Sequence, residues 1–332
     1  MSASAASARP SAVLPAALPR ERRRLLSLAL AAGLPLLGSA VLVGCGGGTA
    51  PVAPTPPAAP MPKIGIALGG GAAKGFAHVG VLKMLEATSL TPQVVSGTSA
   101  GSVVGALYAS GLTGFELQEQ SFALDESRVR DLTLFGAGGL VKGDKLQDYV
   151  NQLVKGKALD KMAKPFAAVA TDLDNGARVI FRTGNTGQAV RASCSIPGVF
   201  QPAVIANRRY VDGGLVSPVP VDAARELGAD VVIAVDISSK ATDGRSDGIV
   251  GNINQTITIM GQRLGEQELA RADVVIRPKV GKVGPADFDL KHVAVLEGEK
   301  AAQAALPQIR AAVAAWQQRW QADWVKRQQA VR

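Results

Sequence analysis

The stretch Gly97-Thr98-Ser99-Ala100-Gly101 constrains this chain more than any other. It joins Val94-Val95-Ser96, an apolar run of strand type, to the helix-type run from Ser102 to Ala109. A serine flanked by glycines on a strand-to-helix turn is the nucleophile-elbow pattern. The glycines make room for a turn too tight for side chains. The serine hydroxyl then emerges at a helix N-terminus, where unpaired amides and the helix dipole favour developing negative charge. Because Gly, Ser and Ala are common, the same five residues also fit a plain small-residue turn.

Two further stretches narrow the choice. Upstream, the strand Lys63–Leu68 runs into Gly69-Gly70-Gly71-Ala72-Ala73-Lys74-Gly75, and a helix follows from Phe76 to Glu86. A Gly-rich strand-to-helix loop turns several backbone N–H groups toward an anion. Downstream, Tyr210-Val211-Asp212-Gly213-Gly214 sets a carboxylate in a turn after a short strand. In this order the chain offers an anion-binding loop, an elbow serine and an Asp-Gly-Gly turn.

These residues resemble the patatin-like phospholipases, serine lipid acyl hydrolases with a Ser–Asp dyad. The resemblance runs from about Lys63 to Ser238 and includes Arg191-Ala192-Ser193-Cys194-Ser195-Ile196-Pro197-Gly198-Val199-Phe200, similar to the segment preceding the family's Asp turn. It implies Ser99 as nucleophile and Asp212 as proton acceptor. The amides of Gly70, Gly71 and Ala72 would form the oxyanion hole, with Ala100 as a further donor. Gly97, Gly101, Gly213 and Gly214 would shape the turns. The expected substrate is a phospholipid or lysophospholipid, with no metal or organic cofactor. Ala72 departs from the family pattern, standing where a third glycine is usual; alanine keeps its N–H but disfavours positive φ.

The residues themselves imply an α/β fold. Ile64–Leu68, Val94–Gly97, Val231–Ile237 and Val274–Ile276 are near-continuous apolar runs, as in strands buried on both faces. Phe166–Thr171 and Val179–Phe181 flank a turn at Asp174-Asn175-Gly176. Helical patterns cover 74–87, 99–110, 114–124, 144–154, 220–227 and 247–270. This alternation predicts three layers around a mostly parallel central sheet, the patatin-like arrangement. Helices from 293 to 332 are expected to break near Pro307. Leu132–Gly143, rich in glycine, reads as a mobile loop over the site or a plain connector. Trp316, Trp320 and Trp324 share one helix face, which is read as core packing, with contact to a bilayer as the alternative.

Residues 1–44 have the layout of a secretory signal: a basic stretch with Arg20, Arg22, Arg23 and Arg24, then an apolar run to Val43. An uncleaved membrane anchor is the other reading. Leu42-Val43-Gly44-Cys45 resembles the bacterial lipoprotein box, which implies lipidation of Cys45. The Pro/Gly/Ala-rich residues 45–62 would be a tether, and 63–332 the catalytic domain. Gly46 after the cysteine suits retention at the periplasmic face of the outer membrane.

The full chain carries +9, of which residues 1–44 contribute five Arg and one Glu. The remaining modest excess suits anionic lipid headgroups. The sequence has no zinc-ligand spacing and no nucleic-acid module, which argues against a nucleic-acid partner. With Cys45 acylated, Cys194 has no partner for a disulfide, since the chain has two cysteines.

Two alternatives to the Ser–Asp reading remain open. Ser99, Asp212 and His292 stand in the order of a Ser–Asp–His triad, though no motif surrounds His292. His78 reads as a helix-start packing or capping residue. A non-catalytic lipid- or nucleotide-binding scaffold is the second alternative, although Gly75-Phe76 after Lys74 lacks the Walker ending. Lys74 either braces its loop or faces a lipid phosphate. Asp172, Asp174, Asp230 and Asp236 are assigned to structure.

Overall fold

The computed structural model describes residues 55–129, 131, 141–241 and 248–330. The expected signal segment, Cys45 and residues 132–140 of the expected loop lie outside the described residues. The strands are β1 (Ile64–Leu68), β2 (Val94–Thr98), β3 (Phe166–Asp172), β4 (Arg178–Phe181), β5 (Ala203–Ile205), β6 (Arg208–Asp212), β7 (Val231–Val235) and β8 (Val274–Ile276). They form one sheet in the order β5-β6-β3-β2-β1-β7-β8, with β4 also paired to β3. The run β3-β2-β1-β7-β8 is parallel. The pairings of β4, β5 and β6 are antiparallel.

The helices are α1 (Phe76–Ala87), α2 (Ala100–Ala109), α3 (Gly114–Ala123), α4 (Asp144–Leu153), α5 (Thr186–Ser193), α6 (Val221–Glu226), α7 (Gly248–Leu269) and α8 (Lys291–Ala330). Strand alternation divides the core into two layers. Ile64, Ile66, Leu68, Ile233 and Val235 face a large cluster shared with α1, α2 and α8. Ala67, Val232 and Ala234 face a smaller one shared with α6 and Leu269 of α7. Both faces of the central strands are therefore buried, which is why they read as continuous apolar runs.

The register around β3 places the site. Ala168 pairs with Gly97 of β2 on one edge and with Phe181 of β4 on the other. Ala170 pairs with Val179 of β4 and with Asp212 of β6. Thus β2 and β6 share an edge of β3 and meet head-on. Thr98 stands opposite Val169, and Asp212 opposite the next residue, Ala170. Sequence-distant Ser99 and Asp212 are brought together by this collision of strand ends.

Three expectations are corrected. The C-terminal helix does not break at Pro307: α8 runs unbroken from Lys291 to Ala330. Proline removes one amide donor and crowds the preceding turn. Here Ala302, Ala305, Ile309 and Val313 are buried on both sides of it, and that packing holds the helix together. Second, Trp316, Trp320 and Trp324 are only half-buried; the core contribution of α8 ends at Val313. Third, the end of the expected tether lies along this helix, with Gln317 and Gln321 donating to the carbonyls of Pro60 and Pro57. Helix α5 was not expected; its small and polar residues give only a weak apolar pattern.

Candidate active site

Ser99 sits at the N-terminus of α2 with φ 52° and ψ −125°, a backbone conformation that costs a non-glycine residue of order 1–3 kcal/mol. The surrounding structure imposes it. A Cβ on Gly97 would stand 2.4 Å from the Gly101 carbonyl oxygen, and one on Gly101 would stand 2.1 Å from that of Leu68. Both contacts are far inside van der Waals range, so the elbow requires glycine at both positions. The Ser99 amide donates to Ser193 Oγ at 2.9 Å, and that hydroxyl donates in turn to the Val169 carbonyl at 2.6 Å. Ser193 thus ties the elbow to β3.

Asp212 closes β6 and is 7 % exposed. Its Oδ1 accepts from the Gly214 amide at 2.7 Å. Its Oδ2 is buried without a hydrogen-bond partner among the described residues. Its amide donates to the Ser195 carbonyl at 2.9 Å, and Thr171 Oγ1 donates to its carbonyl at 2.8 Å. Burial raises the Asp212 pKa to about 6, against the opposing pull of the Ser99 hydroxyl and the Gly214 amide. Removing a carboxylate from water disfavours its charged form, which makes this aspartate a better base than an exposed one.

The Gly-rich loop passes over the same point: a Cβ on Gly70 would lie 3.3 Å from Ser99 Cβ. Its amides are not equivalent. Gly70 N–H donates to the Pro218 carbonyl at 3.0 Å, so the expected oxyanion role is corrected: the group is already committed to holding the loop. The amides of Gly71, Ala72 and Ala100 donate to no described residue. Ala72 adopts φ 52°, the left-handed conformation alanine disfavours. Ala72→Gly is therefore expected to raise stability by up to about 1 kcal/mol with the loop unchanged, measured by denaturant unfolding; a destabilised variant would contradict this.

His78 is fully buried on α1. Its Nε2 lies 2.8 Å from the Gly69 carbonyl oxygen, which can only accept, so Nε2 carries the proton. Burial lowers its pKa to about 4, with the Gly69 bond and the Asp236 charge opposing. Rather than capping its helix, His78 holds the start of the Gly-rich loop as a neutral donor. Lys74 is buried and its Nζ donates to Ser239 Oγ at 2.9 Å, the bracing role. Asp172 and Asp174 pair with Arg208 and Arg209, Asp230 accepts from the Lys63 amide, and Asp236 from Ser238 and Lys240.

Ser99, Ala72 and Ala100 line a cavity of about 300 Å³. Its other walls are mostly apolar, among them Phe76, Val103, Leu107, Leu117, Ile196 and Phe288. Cys194 also lines it; burial, with the Asp212 charge adding, pushes its thiol pKa upward. Such a thiol stays protonated and unreactive. His292 is exposed at the start of α8 and does not line this cavity. Among the described residues, no three His, Cys, Asp or Glu side chains converge in a way that could hold a metal.

Sequence reasoning missed Ser193 and Glu268. Ser193 lies inside the segment singled out by resemblance, which gave no hint of which residue mattered. Glu268 lies in a polar stretch of α7 and has no local signature at all. Its partners, Ser217 and Val219, are far away in the chain.

Residues 66–225 match the family model described as patatin-like phospholipase. An uncharacterized NTE family protein of Mycobacterium tuberculosis is 34% identical over 179 residues, covering 53% of this chain and 49% of that protein. The human patatin-like phospholipase domain-containing protein 6 is 31% identical over 185 residues, 53% of this chain and 13% of the relative. The chain thus spans about half the length of the mycobacterial relative. Among solved structures, ExoU of Pseudomonas aeruginosa aligns over 77% of this chain and 53% of its own, with TM-score 0.45 and 14% identity. VipD from Legionella pneumophila aligns over 76% and 68%, with TM-score 0.43 and 14% identity.

Proposed function

We propose that this chain, whose residues 66–225 match the patatin-like phospholipase family model, hydrolyses acyl esters of lipids, phospholipids or lysophospholipids above all, with Ser99 as nucleophile and Asp212 as its base. The observation that carries this reading is the head-on meeting of β2 and β6 on β3, beside an apolar cavity. An acyl chain would occupy the cavity and bring its ester carbonyl to Ser99. Ser99 Oγ attacks the carbonyl carbon as its proton passes to Asp212. The carbonyl oxygen becomes an oxyanion facing the Gly71, Ala72 and Ala100 amides, where one such donor is typically worth about 3–4 kcal/mol of barrier. Collapse breaks the ester C–O bond, and Asp212 returns the proton to the departing alcohol. Water then cleaves the acyl-enzyme by the same route, releasing the fatty acid.

Fatty-acid release by the full-length protein from phospholipid vesicles and lysophospholipid micelles tests this. Release from either, together with labelling of Ser99 by an activated phosphonate, is expected. Failure of both would favour the scaffold reading. His292→Ala is expected to keep activity within about twofold, because surface substitutions away from the site have small effects. Its inactivation with the fold intact would instead favour a Ser–Asp–His esterase.

The envelope location belongs to the same proposal. It rests on the basic and apolar residues before Leu42-Val43-Gly44-Cys45, and would place the domain on a lipid anchor at the periplasmic face of the outer membrane. Cys45→Ser is expected to abolish incorporation of labelled palmitate and move the protein to the soluble fraction; persistent labelling would overturn it.

A further inference from the structure

Glu268 is a carboxylate near the end of α7, 5 % exposed. Both oxygens are used: Ser217 Oγ donates to Oε1, and the Val219 amide donates to Oε2 at 2.8 Å. The tripeptide it grips faces the other way toward the site. The Ser217 carbonyl accepts from Thr98 Oγ1 at 2.7 Å, and Thr98 immediately precedes Ser99. The Pro218 carbonyl accepts the Gly70 amide at 3.0 Å, and Gly70 precedes the free amides of Gly71 and Ala72. One side chain therefore fixes the segment that holds both the elbow strand and the Gly-rich loop.

We infer that Glu268 is a positioning residue for the reaction: through the 217–219 segment it sets the distance between Ser99 and the oxyanion donors. The inference rests on the hydrolase reading above. Glu268 itself touches no reacting atom, so it acts only through Ser217, Pro218 and Val219. Burial dominates its surroundings and raises its pKa to about 7, opposed by the bonds from the Ser217 hydroxyl and the Val219 amide, with Asp222 adding a smaller rise and Arg271 a smaller opposition. Those two are bound to each other, and Arg178 also reaches Asp222. Charge is not what the brace needs. A neutral group of the same shape, able to accept from Val219 and meet the Ser217 hydroxyl, serves equally well.

The test compares Glu268→Gln with Glu268→Met in the full-length protein. Gln keeps a carbonyl for the Val219 amide; Met keeps the volume and loses both bonds. Glu268→Met is expected to lower kcat by about 10²-fold with KM within twofold, the scale for a small misplacement of reacting groups. Phosphonate reaction at Ser99 should slow in parallel. Glu268→Gln is expected to restore both to within about threefold of the wild type, since the hydrogen bonds to the segment are kept. If Glu268→Met does not fold, Ser217→Ala takes its place, cutting one arm of the grip, and is expected to lower kcat several-fold at unchanged KM. A folded Glu268→Met or Ser217→Ala with wild-type kcat overturns the inference, as does a Glu268→Gln no faster than Met. Hydrogen exchange at the Gly70 amide gives an independent reading. It should quicken in Met and stay slow in Gln; equal exchange in both overturns the brace. An inert wild type with that exchange pattern intact would remove the hydrolase reading while leaving the brace standing.

Discussion

Ser99→Ala is expected to lower ester hydrolysis by about 10⁴-fold or more, the scale seen when a serine nucleophile is removed, with little change in stability. The hydroxyl contributes little to the fold. The elbow is held by the Ser99 amide on Ser193 and by its carbonyl, which accepts from the Ser102 amide and Ser102 Oγ at 2.7 Å each. All these groups survive truncation to alanine. Ser99→Gly separates function from strain. At φ 52° glycine pays no steric cost, so this variant should be equally inactive yet about 1 kcal/mol more stable than the wild type. Vesicle hydrolysis and denaturant unfolding of the three proteins check both parts. Ser99→Ala retaining a tenth of the activity would rule Ser99 out as the nucleophile.

Asp212→Asn is expected to lower hydrolysis by about 10²–10⁴-fold, the usual contribution of a positioned general base, and to stabilise the protein above neutral pH. The sign follows from the raised pKa. In the unfolded chain Asp212 ionises near its ordinary value of 3.8, and in the folded chain at about 6. Folding therefore favours the protonated form. The stability this group contributes is fully present below pH 3.8 and is lost as the pH rises through about 6, a loss of about 3 kcal/mol at 1.36 kcal/mol per unit. Activity is expected to have the opposite slope, because the proposed base must be ionised, and kcat/KM should rise through pH 6 as a single ionisation. Asparagine removes both limbs. Unfolding measured from pH 4 to 8 in the two proteins should diverge over that window. Parallel stability curves would show that burial does not raise the Asp212 pKa in the folded protein.

The elements were legible to different degrees, for physical reasons. Strands β1, β2, β7 and β8 were readable because strands buried on both faces leave uninterrupted apolar runs. Helices α3 and α4 were readable from local pattern, and α3 also carries a capping box in which Thr113 and Glu116 exchange hydrogen bonds. Helix α5, Thr186–Ser193, was not, since its buried face is made of Gly, Ala and Ser as much as Val190. Pro307 misled because its local cost is real, while the burial of Ala305 and Ile309 that outweighs it is not a local quantity.

The elbow, the Gly-rich loop and the Asp-Gly-Gly turn were present in the sequence, because each needs particular residues at consecutive positions. Gly97 is demanded by the Gly101 carbonyl within one tight turn, a demand written in the chain itself, whereas Gly101 is demanded by the close approach of the Leu68 carbonyl from β1. That Ser99 and Asp212 meet was decided only by the register of β2 and β6 on β3. Which loop amides are free was decided by Pro218, which takes the Gly70 N–H and leaves those of Gly71 and Ala72. Glu268 entered in the same way, through bonds across a large chain separation. Local sterics and periodicity act between neighbours in sequence, so the sequence by itself determined the turns. Hydrogen bonds between distant segments exist only once the sheet has assembled, so the site geometry belongs to the tertiary structure.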